Sequence, residues 1–184
     1  MRYDWILIAD DLRDLAALGA PFRMMTTRDY VLQPKLLSGS RPKIINLARN
    51  YNYQTDGYYA SLLGEARGHR VIPTVETLLD LHDREIPDDT ASILEELLHK
   101  DLSKSTNKGS VPERLVVCFG EVEDERFRKF GRQLFDWYRA PVVVVTTTPN
   151  GSPGKFKIKR IRITPFTKLE DEELEFFVRS EEHT

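Results

Sequence analysis

Cysteine is nearly missing from this sequence of 184 residues: Cys118 is the only one. An intramolecular disulfide framework is therefore excluded, and a reducing cytoplasm is the expected setting. Cys118 lies inside the apolar run LVVCFG, where it reads as a small buried hydrophobe rather than a reactive thiol. Long apolar runs are missing too, so no membrane association is expected. VVVVTTT is far too short to cross a bilayer, and the opening MRYDWILIADD closes its short apolar stretch on two aspartates, which is no secretory pattern. Neither GxxxxGK[ST] nor GxGxxG nor the nucleophile elbow GxSxG occurs, so the strong signatures of phosphate cradling, dinucleotide binding and serine hydrolysis are lacking. The four histidines, His69, His82, His99 and His183, have no ligand spacing and Cys118 has no second thiol, so no metal is expected. An excess of positive charge is lacking as well. The 27 basic and 29 acidic residues leave a net −2, which argues against a general nucleic-acid partner.

What remains is the composition of a globular protein, 40% apolar and 30% charged, with a length that suits one domain over residues 1–184. Charge is segregated. Glu76–Asp101 carries nine acids against two bases, Lys155–Lys168 six bases and no acid, and Glu170–Thr184 seven acids and one arginine. Such runs read first as solvated faces, or as a basic strand beside an acidic helix.

Apolar runs closed by turn residues predict strands at Trp5–Ala9, Phe22–Thr26, Lys43–Leu47, Val71–Ile72, Leu115–Phe119 and Pro141–Thr147, the last one central. Asp10 or Asp11 suits the cap of a helix Leu12–Leu18, and Arg28–Leu37 an irregular or short helical crossover. Thr55 or Asp56 suits the cap of a helix Gly57–Arg67 that Gly68 ends. Tyr59, Leu62, Leu63 and Ala66 follow the spacing of a core stripe there, with Tyr58, Ser61 and Glu65 on another face. Further helices are expected at Glu76–Leu81, at Thr90–Leu102 with Ile93, Leu94, Leu97, Leu98 and Leu102 inward, at Val122–Tyr138 with Phe127, Phe130, Leu134 and Trp137 inward, and at Leu169–Val178. Ser103–Ser110 reads as a polar loop and Asn150–Gly154 as a hairpin turn. Phe156–Ile163 reads as a half-exposed strand whose alternation the pair Lys159–Arg160 breaks with a bulge or turn. The alternation implies a layered α/β fold, a mostly parallel sheet of about six or seven strands flanked by helices, with an antiparallel edge hairpin near the C-terminus.

The segment Asn46–Pro73, NLARNYNYQTDGYYASLLGEARGHRVIP, holds four tyrosines and three arginines in a strand–loop–helix–strand unit. A loop between the carboxyl end of a strand and a helix start is where open α/β sheets bind ligands. Arg49, Tyr51 and Tyr53 would share a side if the loop were extended, so that a guanidinium flanked by phenols would grip a carboxylate or phosphate. Gln54 adds an amide and the helix start adds backbone donors. The competing reading packs the tyrosines onto the sheet and pairs Arg49 with an acid such as Glu65. Glu65 and His69 are the candidate acid and base, with a helix end favouring the protonated ring; Arg67 and Arg70 read as structural. Asp10–Asp11 at a strand end suggests a phosphoreceiver pocket, but Asn46 and Thr146–Thr148 stand where an aspartate and a lysine are needed, which excludes it.

The pattern N-L-x-R-x-Y-x-Y-Q-x-x-G-Y-Y-x-S-L-L-x-E-A-R-G-H-R-x-x-P resembles the signature of the RimK-like ATP-grasp N-terminal domain family. Arg28–Tyr30, Phe119–Gly120 and Ala140–Pro141 extend the resemblance more loosely over most of residues 1–165. It implies a substrate-recognition or accessory domain of a system that joins a carboxylate to an amine using ATP. The motif positions it carries over are Asn46, Arg49, Tyr51, Tyr53, Gln54, Tyr58, Tyr59, Ser61, Glu65, Arg67 and His69, with no catalytic residue among them assigned. ATP and Mg belong, on this resemblance, to the ligase module and not to this chain. That module, in trans or in a longer chain, and an amino acid or peptide are the implied partners. A self-sufficient enzyme using Glu65 and His69, and a protein-docking module with a tyrosine-rich face, stay open beside this reading.

Overall fold

The computed structural model describes residues 5–18, 22–33, 35, 37, 41–81, 87–104, 111–151 and 156–181. Residues 105–110 of the polar loop, 152–154 of the hairpin turn, and the histidines at 82 and 183 lie outside them.

Among the described residues, eight strands stand in two sheets of four, where one mostly parallel sheet of six or seven was expected. The first sheet is parallel, in the order β2 (Arg23–Thr26), β1 (Trp5–Ala9), β3 (Lys43–Asn46), β4 (Arg70–Ile72). Its strands are apolar at successive positions because both faces are covered. Ile6, Ile8, Ile44 and Val71 pack under helices α1 (Thr27–Leu32) and α2 (Asp56–Ala66). Leu7, Ala9, Ile45, Leu47 and Ile72 face the opposite way, into a core shared with the second sheet.

That second sheet is antiparallel, in the order β6 (Glu121–Val122), β5 (Arg114–Cys118), β7 (Val142–Pro149), β8 (Phe156–Ile163). The predicted edge hairpin is therefore half of a complete sheet. Of the bulge or turn expected there, the structure has the bulge: Thr146 pairs with Arg160 and Thr147 with Ile158, leaving Lys159 as the extra residue. Val116, Cys118 and Val142 point into the shared core beside Phe119, Phe166 and Phe177, the last on helix α6 (Asp171–Glu181). Leu115, Val117, Val143 and Val145 pack on helices α4 (Asp88–Lys104) and α5 (Arg128–Trp137). Burial pushes the Cys118 thiol well above its ordinary pKa, in keeping with an inert core residue.

Helices α5 and α2 differ from their sequence patterns, and α4 does so at one position. The predicted helix Val122–Tyr138 begins only at Arg128, because Phe119 (φ +51°) and Gly120 (φ +85°) turn the chain back and pair Cys118 with Glu121 and Val117 with Val122. Two consecutive left-handed residues are what a tight hairpin loop requires. Gly131 then lets α5 lie against this turn, since a Cβ there would sit 2.7 Å from the Gly120 carbonyl oxygen. Trp137, expected inward, is exposed, as is Ile93 of α4.

In α2 the expected core stripe is on the wrong side. Tyr59, Leu62 and Ala66 are exposed, while Gly57, Tyr58, Ala60, Ser61 and Gly64 are buried. Gly57, Ala60, Ser61 and Gly64 obey the same three-and-four spacing, and it is this narrow face that reaches the sheet. Gly64 sits where a Cβ would collide with the Val71 side chain and lie 2.7 Å from Tyr30 Oη. Close approach of helix to strand, rather than side-chain hydrophobicity, selects the face.

Candidate functional site at the switch point of the parallel sheet

The order β2–β1–β3–β4 makes the chain leave β1 to one side for β2 and return to the other side for β3. The loops after β1 and β3 diverge at that point, and in open α/β sheets the crevice between such loops is the usual ligand site. Here the two loops are tied together. The Arg49 backbone N–H donates to Asp10 Oδ2 at 2.9 Å, and Arg49 Nε and Nη2 donate to the two Asp14 carboxylate oxygens at 2.7 and 2.5 Å. Arg49 is thus paired with an acid, as the competing reading expects, and that acid is Asp14 rather than Glu65. This pairing raises the guanidinium pKa further, so the charge is permanent. Asp11 caps the 3-10 helix Leu12–Ala17, and its bonds to Arg13 hold its carboxyl at about 2.

The loop is not extended. Gln54, exposed at φ +66°, and the Thr55 N–H donating to the Asn52 carbonyl curl it into the α2 cap, so Arg49, Tyr51 and Tyr53 do not share a side. Tyr51 is buried and donates its hydroxyl to the Asn46 carbonyl at 2.8 Å; burial pushes its phenol far up. Tyr53 is 65% exposed and meets Tyr58 edge-on, and Tyr58 meets Tyr59 in the same way. Tyr53, Tyr59 and Leu62 form an aromatic surface beside the loop, the feature that a docking module would need.

Other motif residues are engaged internally. Asn46 is fully buried: its amide donates to the Gly57 carbonyl at 2.7 Å and to Ser61 Oγ at 3.1 Å, while Oδ1 accepts from the Ala48 N–H. Ser61 passes the chain on, donating to the Pro73 carbonyl at 2.7 Å. Arg67 donates to the Tyr30 and Val31 carbonyls and lies over the Tyr30 ring, clamping the end of α2 to α1.

Two clefts border the motif. The switch-point cleft, about 410 Å³, is lined by Arg49, Asn50, Tyr51 and Asn52, by Leu78 and Leu81 at helix α3 (Val75–Asp80), and by Arg162, Ile163, Pro165 and Lys168 from the end of β8 and beyond. It brings three cations together, with the exposed side-chain amides of Asn50 and Asn52, and no carboxylate lines it among the described residues. A second cleft, about 520 Å³, contains both Glu65 and His69. Glu65 accepts from the Val75 N–H at 2.9 Å, and His69 Nδ1 is hydrogen-bonded to Tyr30 Oη at 2.7 Å. Burial, and then Arg67, hold the imidazole pKa below its ordinary value, opposite to the effect expected of the helix end. The same burial lifts the Tyr30 phenol to about 12.

A family model described as the RimK-like ATPgrasp N-terminal domain matches residues 27–180. The chain belongs to that family. No curated protein matches it. In this RimK-like ATP-grasp N-terminal domain, Arg162 and Lys168 were the residues that sequence reasoning left out of the site. Their signal was present as the basic run 155–168, but only the fold carries it from the second sheet to the loop after β3. Asp14 and Tyr30, the partners of Arg49 and His69, were missed for the same reason. Among the described residues, no group of three or more His, Cys, Asp or Glu side chains is placed to hold a metal. No described helix is long and apolar enough to cross a membrane.

Proposed function

We propose that this domain holds a carboxylate-bearing amino acid or peptide for a RimK-like ATP-grasp carboxylate–amine ligase. The observation that carries the reading is the convergence of Arg49, Arg162 and Lys168 on one small cleft at the switch point. Guanidinium groups recognise carboxylates through paired N–H bonds, and the Asn50 and Asn52 amides suit the amides or amines of the remainder. Asp14 engages the Nε–Nη2 edge of Arg49, which leaves Nη1 for a ligand. The family supports the ligase association; the ATP and Mg of the ligation belong to the ligase module, in trans or in a longer chain. The domain over residues 1–184 acts in this reading as a receptor.

Calorimetric titration with glutamate and short acidic peptides tests it. Arg162→Gln with Lys168→Gln, both exposed, should weaken binding by about tenfold or more without altering the fold, and Arg49→Ala should abolish it. Affinity unchanged by all three substitutions would refute the site. The self-sufficient enzyme has one observation in its favour, the shared cleft of Glu65 and His69. Turnover by the purified chain, lost in Glu65→Gln, would establish it.

A further inference from the structure

The second cleft has a different chemical character from the first. Its floor follows from strand register: Trp5 pairs with Lys43 and Lys43 with Arg70, so these three lie in one row across neighbouring parallel strands and point to the same face. Phe135 on α5 and Arg139 just past its end also line the cleft, as do Ile72 and, beside Tyr30 on the other side of β4, His69. The row lies at the amino ends of the strands, away from the switch point, so the two clefts share no residue.

Charges in this cleft do not cancel. Lys43, Arg70 and Arg139 face two carboxylates, Glu65 and Glu76, and Glu65 already accepts from the Val75 backbone. Lys43 Nζ is 5.2 Å from the centre of the Trp5 ring, a cation–π contact. Arg70, Arg139 and Glu76 enter no ion pair among the described residues, although Arg49, Arg114 and Arg126 each have an acidic partner. The cleft thus presents two aromatic rings, Trp5 and Phe135, and a surplus of one positive charge.

We propose that this cleft is a second ligand site, taking a small monoanion with an aromatic body, chemically an aryl carboxylate such as an N-blocked aromatic amino acid. The ring would lie between Trp5 and Phe135, and the carboxylate would take the N–H forks of Arg70 and Arg139. His69, anchored through Nδ1, offers its remaining ring nitrogen to a polar group of the ligand.

The test follows the Trp5 indole N–H by NMR. The chain has two tryptophans, and a Trp137→Phe variant assigns the Trp5 signal. The probes are N-acetyl-phenylalanine, its neutral amide, acetate and AMP. Saturable movement of the Trp5 signal is expected with N-acetyl-phenylalanine, with the amide and acetate weaker by about tenfold or more. Arg139→Gln and Arg70→Gln, both at exposed positions, should weaken the carboxylate to the level of the amide. The Arg162→Gln, Lys168→Gln variant should leave the titration unchanged, which separates failure here from failure of the switch-point site. Equal binding of the amide, tighter binding of AMP, or no saturable shift at millimolar N-acetyl-phenylalanine would each overturn the proposal.

Discussion

Asn46 illustrates how a motif residue can look like a ligand contact and hold the backbone instead. Its amide closes the end of β3 onto the first turn of α2, with all three polar contacts made inside the fold. Replacing it with Ala would leave the Ala48 N–H without its partner in a water-free site and remove the second donor from the Gly57 carbonyl. A loss of about 2–3 kcal/mol in chemical denaturation is the expected result. His69 gives a test through pH. Its folded pKa is lowered, so between that value and about 6.5 the unfolded chain binds the extra proton and the native state does not. Its contribution to stability is complete above about pH 6.5 and is lost as pH falls through that window. Stability curves measured from pH 7.5 down to 5 should lose part of their slope in His69→Gln.

At the scale of elements, α2 is decided by its narrow face. Gly64→Ala keeps or improves helix propensity yet inserts a methyl group between Val71 and Tyr30. Destabilisation of about 1–3 kcal/mol is expected, visible as a lowered Tm, where a change at the equally helical but exposed Ala66 should be nearly silent. Helix α6 is held to β5 by Arg114 Nε and Nη2 on the two Glu173 oxygens, at 2.7 and 3.0 Å. That pairing lowers the Glu173 pKa, so its contribution is present above its ordinary value and lost as the pH falls through the folded one. A double-mutant cycle with Arg114→Ala and Glu173→Ala should give a coupling of about 0.2–1 kcal/mol at neutral pH that fades in acid.

For the molecule as a whole, the two sheets are joined by one core rather than set side by side. Phe177 stacks on Phe119 and Phe166 within the core to which β1, β3, β5 and β7 contribute, and it is fully buried. Phe177→Ala should cost about 3–5 kcal/mol, and fluorescence and circular dichroism should report one coincident transition for both sheets. Separate transitions would mean that the sheets fold as independent units. The switch-point cleft needs both sheets in place, because Arg49 comes from one and Arg162 from the end of the other. Carboxylate binding should weaken with added salt, since its cations are exposed to solvent.

Local order decided much of this protein from the sequence alone. The strand positions, the Thr55 cap and left-handed Gly68 around α2, the bulge at Lys159–Arg160 and the family pattern of Asn46–Pro73 depend on neighbours within a few residues, and a linear pattern records such neighbours. Tertiary structure alone decided which of two equally periodic stripes of α2 faces the sheet, because shape at a close contact overrode hydrophobicity. It alone divided the strands between a parallel and an antiparallel sheet, since a short apolar strand carries no mark of its partner. It also chose Asp14 for Arg49, Tyr30 for His69, and Arg162 and Lys168 for the switch-point cleft. Those pairs are separated by tens of residues or more, and only the packing of the two sheets brings their charges within reach of one another.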